Sequence, residues 1–339
     1  MHYKFDLINL KPGDILLSHG DGIQAKIIGE ATDGNFSHAM LYVGGTVIHA
    51  DGNGVYSRNP QRIYSNNKSD LAVYRLKNNL SDDEVEKICK AARSEVGKLY
   101  DIKGAISSVM SGKDRSIKNR QFCSKLVALA FDVVNINFGK SIDKITPNDF
   151  CRSDLLNLKE NLIVAMDDDE YAYATSPDYN LDLQIETFEW LSEARDCSKK
   201  RNRIIGSVND VLQYLVDFPE DDGKFCEIIE RSRYYGFSGI DRENNPHRYD
   251  FLLFKERLSH MDRASQKKFI MIETIGLGEE ITIRQNNYLW AVRLMAERKI
   301  SFFRKNHDFA KELYINATTR AQVINLCAKY EKFLLKLLQ

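Results

Sequence analysis

Ser37-His38-Ala39-Met40-Leu41-Tyr42-Val43-Gly44-Gly45-Thr46-Val47-Ile48-His49-Ala50 is the stretch from which the rest of the chain is read. Its two apolar runs, Ala39 to Val43 and Thr46 to Ala50, are joined by Gly44-Gly45, which predicts a β-hairpin. One histidine opens the first strand and another stands near the end of the second, eleven residues later. Their imidazoles can meet across the hairpin only if register and facing side agree. Taken singly, a histidine on a strand is more often structural than catalytic.

Strands and turns surround this hairpin. Lys11-Pro12-Gly13 predicts a turn into a strand over Asp14 to Ser18, and Leu71 to Leu76 reads as another strand. Short helices are expected over Ile23 to Ala31 and Asp101 to Val109. Ser81, followed by Asp82, Asp83 and Glu84, caps a helix running to about Val96. Phe122 to Val134 is a more apolar helix, expected to be more buried.

Cys123 stands at the expected start of that apolar helix. Unpaired backbone N–H groups and the helix dipole at such a position stabilise a thiolate and lower the thiol pKa. A nearby imidazole can take the thiol proton, and a second polar group can fix that imidazole's tautomer. Cys123, His38 and His49 are of the right types for those three tasks. The six cysteines, at 89, 123, 151, 197, 226 and 327, are too sparse and irregular for a disulfide framework or a Cys-x-x-Cys metal site, so reduced thiols are expected. No cofactor or metal is expected.

Composition bounds the function. The 339 residues carry 48 basic and 48 acidic side chains with 43% hydrophobic content, which disfavours a basic nucleic-acid binder or a disordered acidic chain. The neutral total is uneven: residues 1–165 sum to +3, 166–198 to −9 and 199–339 to +6. Thirteen of 19 glycines fall in the first 139 residues, whereas later segments repeat apolar residues at the helical period. These features predict a strand-containing domain over 1–165, an acidic connecting segment over 166–198 and a helical domain over 199–339. Helices are expected over Ser207 to Asp217, Phe225 to Tyr234, Gln285 to Phe303 and Thr319 to Leu338. Asp167 to Asp169 read as a solvated charge run, lacking the spaced glycine and glutamate of a calcium loop. No transmembrane segment or signal peptide is visible, so the product is expected to be cytoplasmic as synthesised, with delivery outside the cell by a signal-independent system left open.

The ordered pieces Lys11-Pro12-Gly13-Asp14-Ile15-Leu16-Leu17, Ser37 to Gly44, Val47-Ile48-His49-Ala50, Gly97-Lys98-Leu99-Tyr100-Asp101, Phe122-Cys123-Ser124-Lys125-Leu126-Val127 and Ile145-Thr146-Pro147-Asn148-Asp149-Phe150 resemble the YiiX/YebB-like branch of the NlpC superfamily. These are circularly permuted papain-fold cysteine hydrolases. The resemblance covers roughly residues 8–160. It implies an α+β, circularly permuted papain-like (NlpC-type) core followed by a mainly α-helical C-terminal domain. By position it implies Cys123 as nucleophile and His38 as base, with His49 at a third polar site where many relatives carry glutamate. Two histidines with one cysteine also resemble the lecithin retinol acyltransferase-like branch.

The implied chemistry is acyl transfer through a thioester, with the Cys123 N–H at the helix terminus helping to hold the oxyanion. The expected substrate is a peptide, a peptidoglycan-like amide or an acylated molecule, as for a cell-wall amidase, an endopeptidase or a secreted antibacterial effector. A lipid-directed acyltransferase or thioesterase is the alternative, and a non-catalytic binding module another. His19 and Asp51 are candidates for lining the cleft, although a turn reading suits both. Asp14 is expected to support the first turn, and Tyr100 and Asp101 to pack and cap the second helix. In the helical block, Arg231, Arg233, Arg242 and Arg248 are interleaved with Tyr234, Tyr235, Phe237 and Tyr249. They could bind an anionic partner, or more ordinarily form a helix surface with aromatics turned inward. This block is expected to serve recognition, regulation or a protein partner.

Overall fold

A computed structural model describes residues 1–19, 36–51, 54–98 and 115–337. The chain divides into two compact units, Met1–Pro177 and Asp178–Gln339. The acidic stretch is shared between them: its first helix belongs to the first unit and its second to the other.

The first unit is built on nine strands: β1 (His2–Phe5), β2 (Ile15–Ser18), β3 (His38–Tyr42), β4 (Val47–Asp51), β5 (Gly54–Arg58), β6 (Tyr64–Ser65), β7 (Leu71–Leu76), β8 (Leu156–Leu158) and β9 (Ile163–Met166). Six form an antiparallel sheet in the order β5-β4-β3-β2-β7-β8, and three form a small sheet in the order β6-β1-β9. Helices α1 (Asp82–Ser94) and α2 (Arg115–Asp132) pack against β3, α2 also against β4.

Strand alternation serves two cores. Ile15, Leu17, Ala39, Leu41, Ile48 and Ala50 pack with Ile88, Ala92, Leu126 and Phe131 of the helices. Their neighbours Leu16, Met40, Tyr42, Val47 and Val73 pack instead with Phe5, Leu10 and Ile163 around the small sheet. A period of two thus buries both faces of the central strands.

The expected hairpin is present, and Gly44 and Gly45 make its turn with φ of +90° and +73°. These left-handed angles suit the twist of an antiparallel pair and cost glycine little. Ser81 and Glu84 form the capping box that starts α1. Asp14 supports the first turn as expected, but with a partner the sequence did not suggest. Its buried carboxylate accepts the Lys11 N–H at 2.8 Å and two bonds from Arg75 of β7 at 2.6 and 2.7 Å. The helices expected over 23–31 and 101–109, with Tyr100 and Asp101, lie outside the described residues.

Helix α3 (Pro147–Cys151) precedes β8, and α4 (Asp168–Thr175) follows β9. The Asp167–Asp169 run is exposed, and Asp167 and Glu170 form a capping box at the start of α4, where negative charge meets the positive helix end. The buried Arg62 closes this unit. Its guanidinium donates to the carbonyls of Ser176 and Pro177 and lies 4.6 Å from the Tyr173 ring centroid.

The second unit contains α5 (Tyr179–Lys199), α6 (Val208–Asp217), α7 (Asp222–Glu230), α8 (Phe237–Asn244), α9 (Phe251–Ser259), α10 (Arg263–Thr274), α11 (Leu277–Glu297) and α12 (Ser301–Leu337). One core gathers Trp190, Leu212, Phe225, Ile229, Phe302 and Phe303. The helix expected over Gln285 to Phe303 is two helices, because Arg298 turns to an extended conformation after Glu297. Asp222 then receives the amides of Ser301 and Phe302 at 2.8 and 2.9 Å, capping α12 from another helix. The helix expected from Phe225 to Tyr234 begins at Asp222 and ends at Glu230.

The four arginines singled out in the sequence, Arg231, Arg233, Arg242 and Arg248, have internal partners. Arg231 pairs with Glu193, and Arg233 with Glu186 at 2.6 Å, so the acidic α5 and the basic segment after α7 are bound to each other. Arg248 binds the buried Glu273 at 2.8 Å, and Arg242 binds Asn316 at 2.7 Å while stacking on Tyr249.

Replacing Arg75 by methionine leaves the Asp14 carboxylate buried without its counter-charge, and we expect a loss of about 3 kcal/mol from the first unit. Hydrogen exchange of peptides spanning β3 and β4 in the full chain, followed through a urea series, reads this. Asp14→Asn combined with Arg75→Met should recover part of the loss; equal protection in wild type and Arg75→Met would contradict it.

Candidate active site

The β3–β4 ladder pairs Leu41 with Ile48 and Tyr42 with Val47. Toward His38 it goes no further among the described residues. In that interval the two strands are linked by side chains instead: His38 Nε2 lies 3.1 Å from His49 Nδ1, with the rings edge-on at 5.1 Å. Register and facing side therefore agree, as the hairpin reading required. On β5, directly opposite His49, Tyr56 stacks its ring on the imidazole at 5.9 Å and 26°. Tyr56 is 7% exposed, and sequence reasoning missed it because the β4–β5 register is not visible in the chain.

Cys123 reaches the same place from α2. Its sulfur accepts the backbone N–H of Ala39, the residue after His38, at 3.4 Å, and lies 3.9 Å from the Ser124 hydroxyl. The structure thus brings the thiol onto the Ala39 amide, next in the chain to His38, and the imidazoles of His38 and His49 onto each other between β3 and β4.

One expectation is corrected. Cys123 does not start its helix, because α2 begins at Arg115. A residue that far inside an α-helix commits its N–H to the carbonyl four residues back, so the free amide and terminal dipole expected there are not available. The thiol is fully buried, and burial raises its pKa above the ordinary thiol value, with the Ala39 N–H acting in the opposite direction.

The imidazoles are shifted to match. Burial, helped by the positive charge of Arg58, holds His38 down at about 4. His49 is lowered by burial first, then by His38 and Arg58. At neutral pH the site therefore holds a neutral thiol and two neutral imidazoles. A hydrogen between His38 Nε2 and His49 Nδ1 couples the tautomers of the two rings, and Nδ1 is the remaining nitrogen of His38.

The two weaker candidates, His19 and Asp51, stand at the ends of β2 and β4. His19 is half-buried one residue beyond Ser18, which pairs with His38, and its N–H goes to the Asp70 carbonyl at 2.7 Å. It follows the end of β2, the strand that pairs with β3. Asp51 closes β4 opposite Gly54, and its side chain lies outside the described residues. Among the described residues no group of three or more His, Cys, Asp or Glu side chains could hold a metal ion.

This arrangement, with histidine strands preceding the cysteine helix, coincides with a family match. Residues 9–158 fit the family model described as permuted papain-like amidase enzyme, YaeF/YiiX, C92 family. Those residues belong to that family. The permuted papain-like amidases are hydrolytic enzymes, and the match contains Cys123, His38 and His49. A crystal structure described as metalloprotein yiiX from Escherichia coli O157:H7 is similar at 16% identity, over 46% of this chain and 97% of its own, with a TM-score of 0.27. No curated protein matches the chain. Among the described residues no helix is long and apolar enough to cross a membrane.

The histidine shifts give a signed pH dependence. A base whose folded pKa lies below its unfolded value near 6.5 contributes stability that is full above 6.5 and is lost as pH falls toward and through about 4. Each such proton contributes a slope of up to about 1.4 kcal/mol per pH unit in that window. We expect His38→Gln to flatten the acid limb of a stability profile measured between pH 4 and 6.5. An acid limb as steep as that of wild type would show that His38 does not carry it.

Proposed function

We propose that the first unit is a cysteine hydrolase that cleaves an amide or ester bond through a thioester on Cys123. The observations that carry this reading are the sulfur held by the amide of Ala39, the residue next to His38, and the imidazole pair of His38 and His49 at 3.1 Å. Membership of residues 9–158 in an amidase family supports it.

In this mechanism the thiol proton passes to His38 Nδ1 as the sulfur attacks the substrate carbonyl. A carbon–sulfur bond forms, and the carbonyl π electrons move to oxygen. Collapse of the tetrahedral species expels the amine or alkoxide, which takes the proton back from His38. Water, deprotonated by His38, then cleaves the thioester and regenerates the thiol. His49 accepts the Nε2 proton of His38, holds the tautomer and spreads the charge that appears on the imidazole. The Ala39 N–H supports negative charge on sulfur. With both groups neutral at rest, proton transfer accompanies attack instead of preceding it.

The substrate proposed is a peptide or peptidoglycan-like amide, as for a cell-wall amidase or a delivered antibacterial effector. The pairing of two histidines with one cysteine favours a second reading, an acyltransferase in which another nucleophile replaces water at the thioester. Hydroxylamine added to a turnover assay distinguishes the two by diverting the acyl group.

Cys123→Ala should abolish activity, and His38→Ala should lower it by about 10²–10⁴-fold. Wild type and Cys123→Ala can be expressed in the bacterial cytoplasm and, with an added export signal, in the periplasm. Toxicity of the exported wild type alone supports a cell-wall substrate; cytoplasmic toxicity alone redirects the search to protein or lipid. If iodoacetamide labels all six cysteines at similar rates and Cys123→Ser retains the phenotype, a non-catalytic binding role replaces this reading.

A further inference from the structure

We propose that Asn148 is the positioning residue of the site, holding His38 in place through the backbone of Phe36. This rests on the reading of Cys123 and His38 as nucleophile and base. Asn148 is 7% exposed and uses both ends of its carboxamide on one residue. Its Oδ1 accepts the Phe36 N–H at 3.1 Å, and its Nδ2 donates to the Phe36 carbonyl at 3.1 Å.

That pair of bonds is what a neighbouring strand would provide. Ser37 gives its N–H to Ser18 of β2 at 3.1 Å. Phe36 and Ser37 come just before β3, which begins at His38, and the Asn148 carboxamide gives Phe36 the donor and acceptor that a paired strand would. The backbone leading into His38 is thereby held at Phe36 by Asn148 and at Ser37 by Ser18.

The support is itself anchored. Pro147 fixes φ at the first turn of α3. Asp149 accepts the Thr146 N–H and hydroxyl, each at 2.8 Å, and pairs with Lys140 at 2.7 Å. Removing the carboxamide leaves the Phe36 N–H and carbonyl without these partners and lets the entry to β3 shift. A displacement of about 1 Å at a base can cost on the order of 100-fold in rate.

The test uses the full chain and iodoacetamide as probe, with labelling of each cysteine followed by mass spectrometry from pH 5 to 9. Wild type, His38→Ala, Asn148→Ala and Asn148→Asp are compared. We expect Asn148→Ala to label at Cys123 about tenfold more slowly at neutral pH and to adopt the pH profile of His38→Ala, while buried Cys89 keeps its wild-type protection. Asn148→Asp, which keeps the acceptor for the Phe36 N–H, should fall between. A wild-type profile in Asn148→Ala overturns the proposal. If Asn148→Ala exposes Cys89, Asn148→Asp decides: slowed Cys123 with Cys89 protected upholds the positioning role, and a wild-type profile or an exposed Cys89 overturns it. A His38→Ala profile equal to wild type would remove the cysteine–histidine reading itself, an outcome visible without any Asn148 variant, and this proposal with it.

Discussion

The amide of Ala39 governs the site. In an uninterrupted hairpin it would be spent on β4, but the ladder stops at Leu41 and Ile48, and the N–H turns to the sulfur of Cys123. That one redirected bond ties the cysteine helix to the strand that starts with His38. The parting of β3 and β4 also makes room for the two imidazoles to meet. A sheet paired to its end would have satisfied its own backbone and left no place for either arrangement.

Holding such an opening within a sheet requires rigid surroundings. The central strands are packed on both faces, by the α1–α2 layer and by the small sheet, so the local loss of backbone pairing is surrounded by dense apolar contact. The Asp14–Arg75 pair fixes the start of β2 against β7, and Tyr56 braces His49 from β5. Burial that gives this rigidity also sets the chemistry. It raises the thiol and lowers the imidazoles, so the three groups are uncharged at neutral pH.

Much of this was legible in the chain. Gly44-Gly45 between two apolar runs located the hairpin, the Ser81 to Glu84 spacing located the start of α1, and Leu71–Leu76 matched its strand to the residue. Cys123, His38 and His49 stood out by residue type and order. The start of α2 did not, because an apolar run marks where a helix becomes buried, whereas its more polar first turns carry little hydrophobic signal. Tyr56, Arg75 and Asn148 were overlooked for a different reason. Tyr56 acts on His49 through strand register, and Arg75 and Asn148 act on residues far away in the chain through an ion pair and through bonds to backbone; none of these leaves a periodic trace in one sequence. The break after Glu297 had a similar origin, since the cap that starts α12 comes from Asp222, far upstream.

The small sheet has a topological consequence. β1 and β9 lie outside residues 9–158, yet they pair with each other, placing His2 across from Met166. Cα atoms opposite one another in an antiparallel pair are only about 5 Å apart. The first and last strands of this unit therefore end side by side, so a short linker could join them and the chain could be opened at another loop with little distortion.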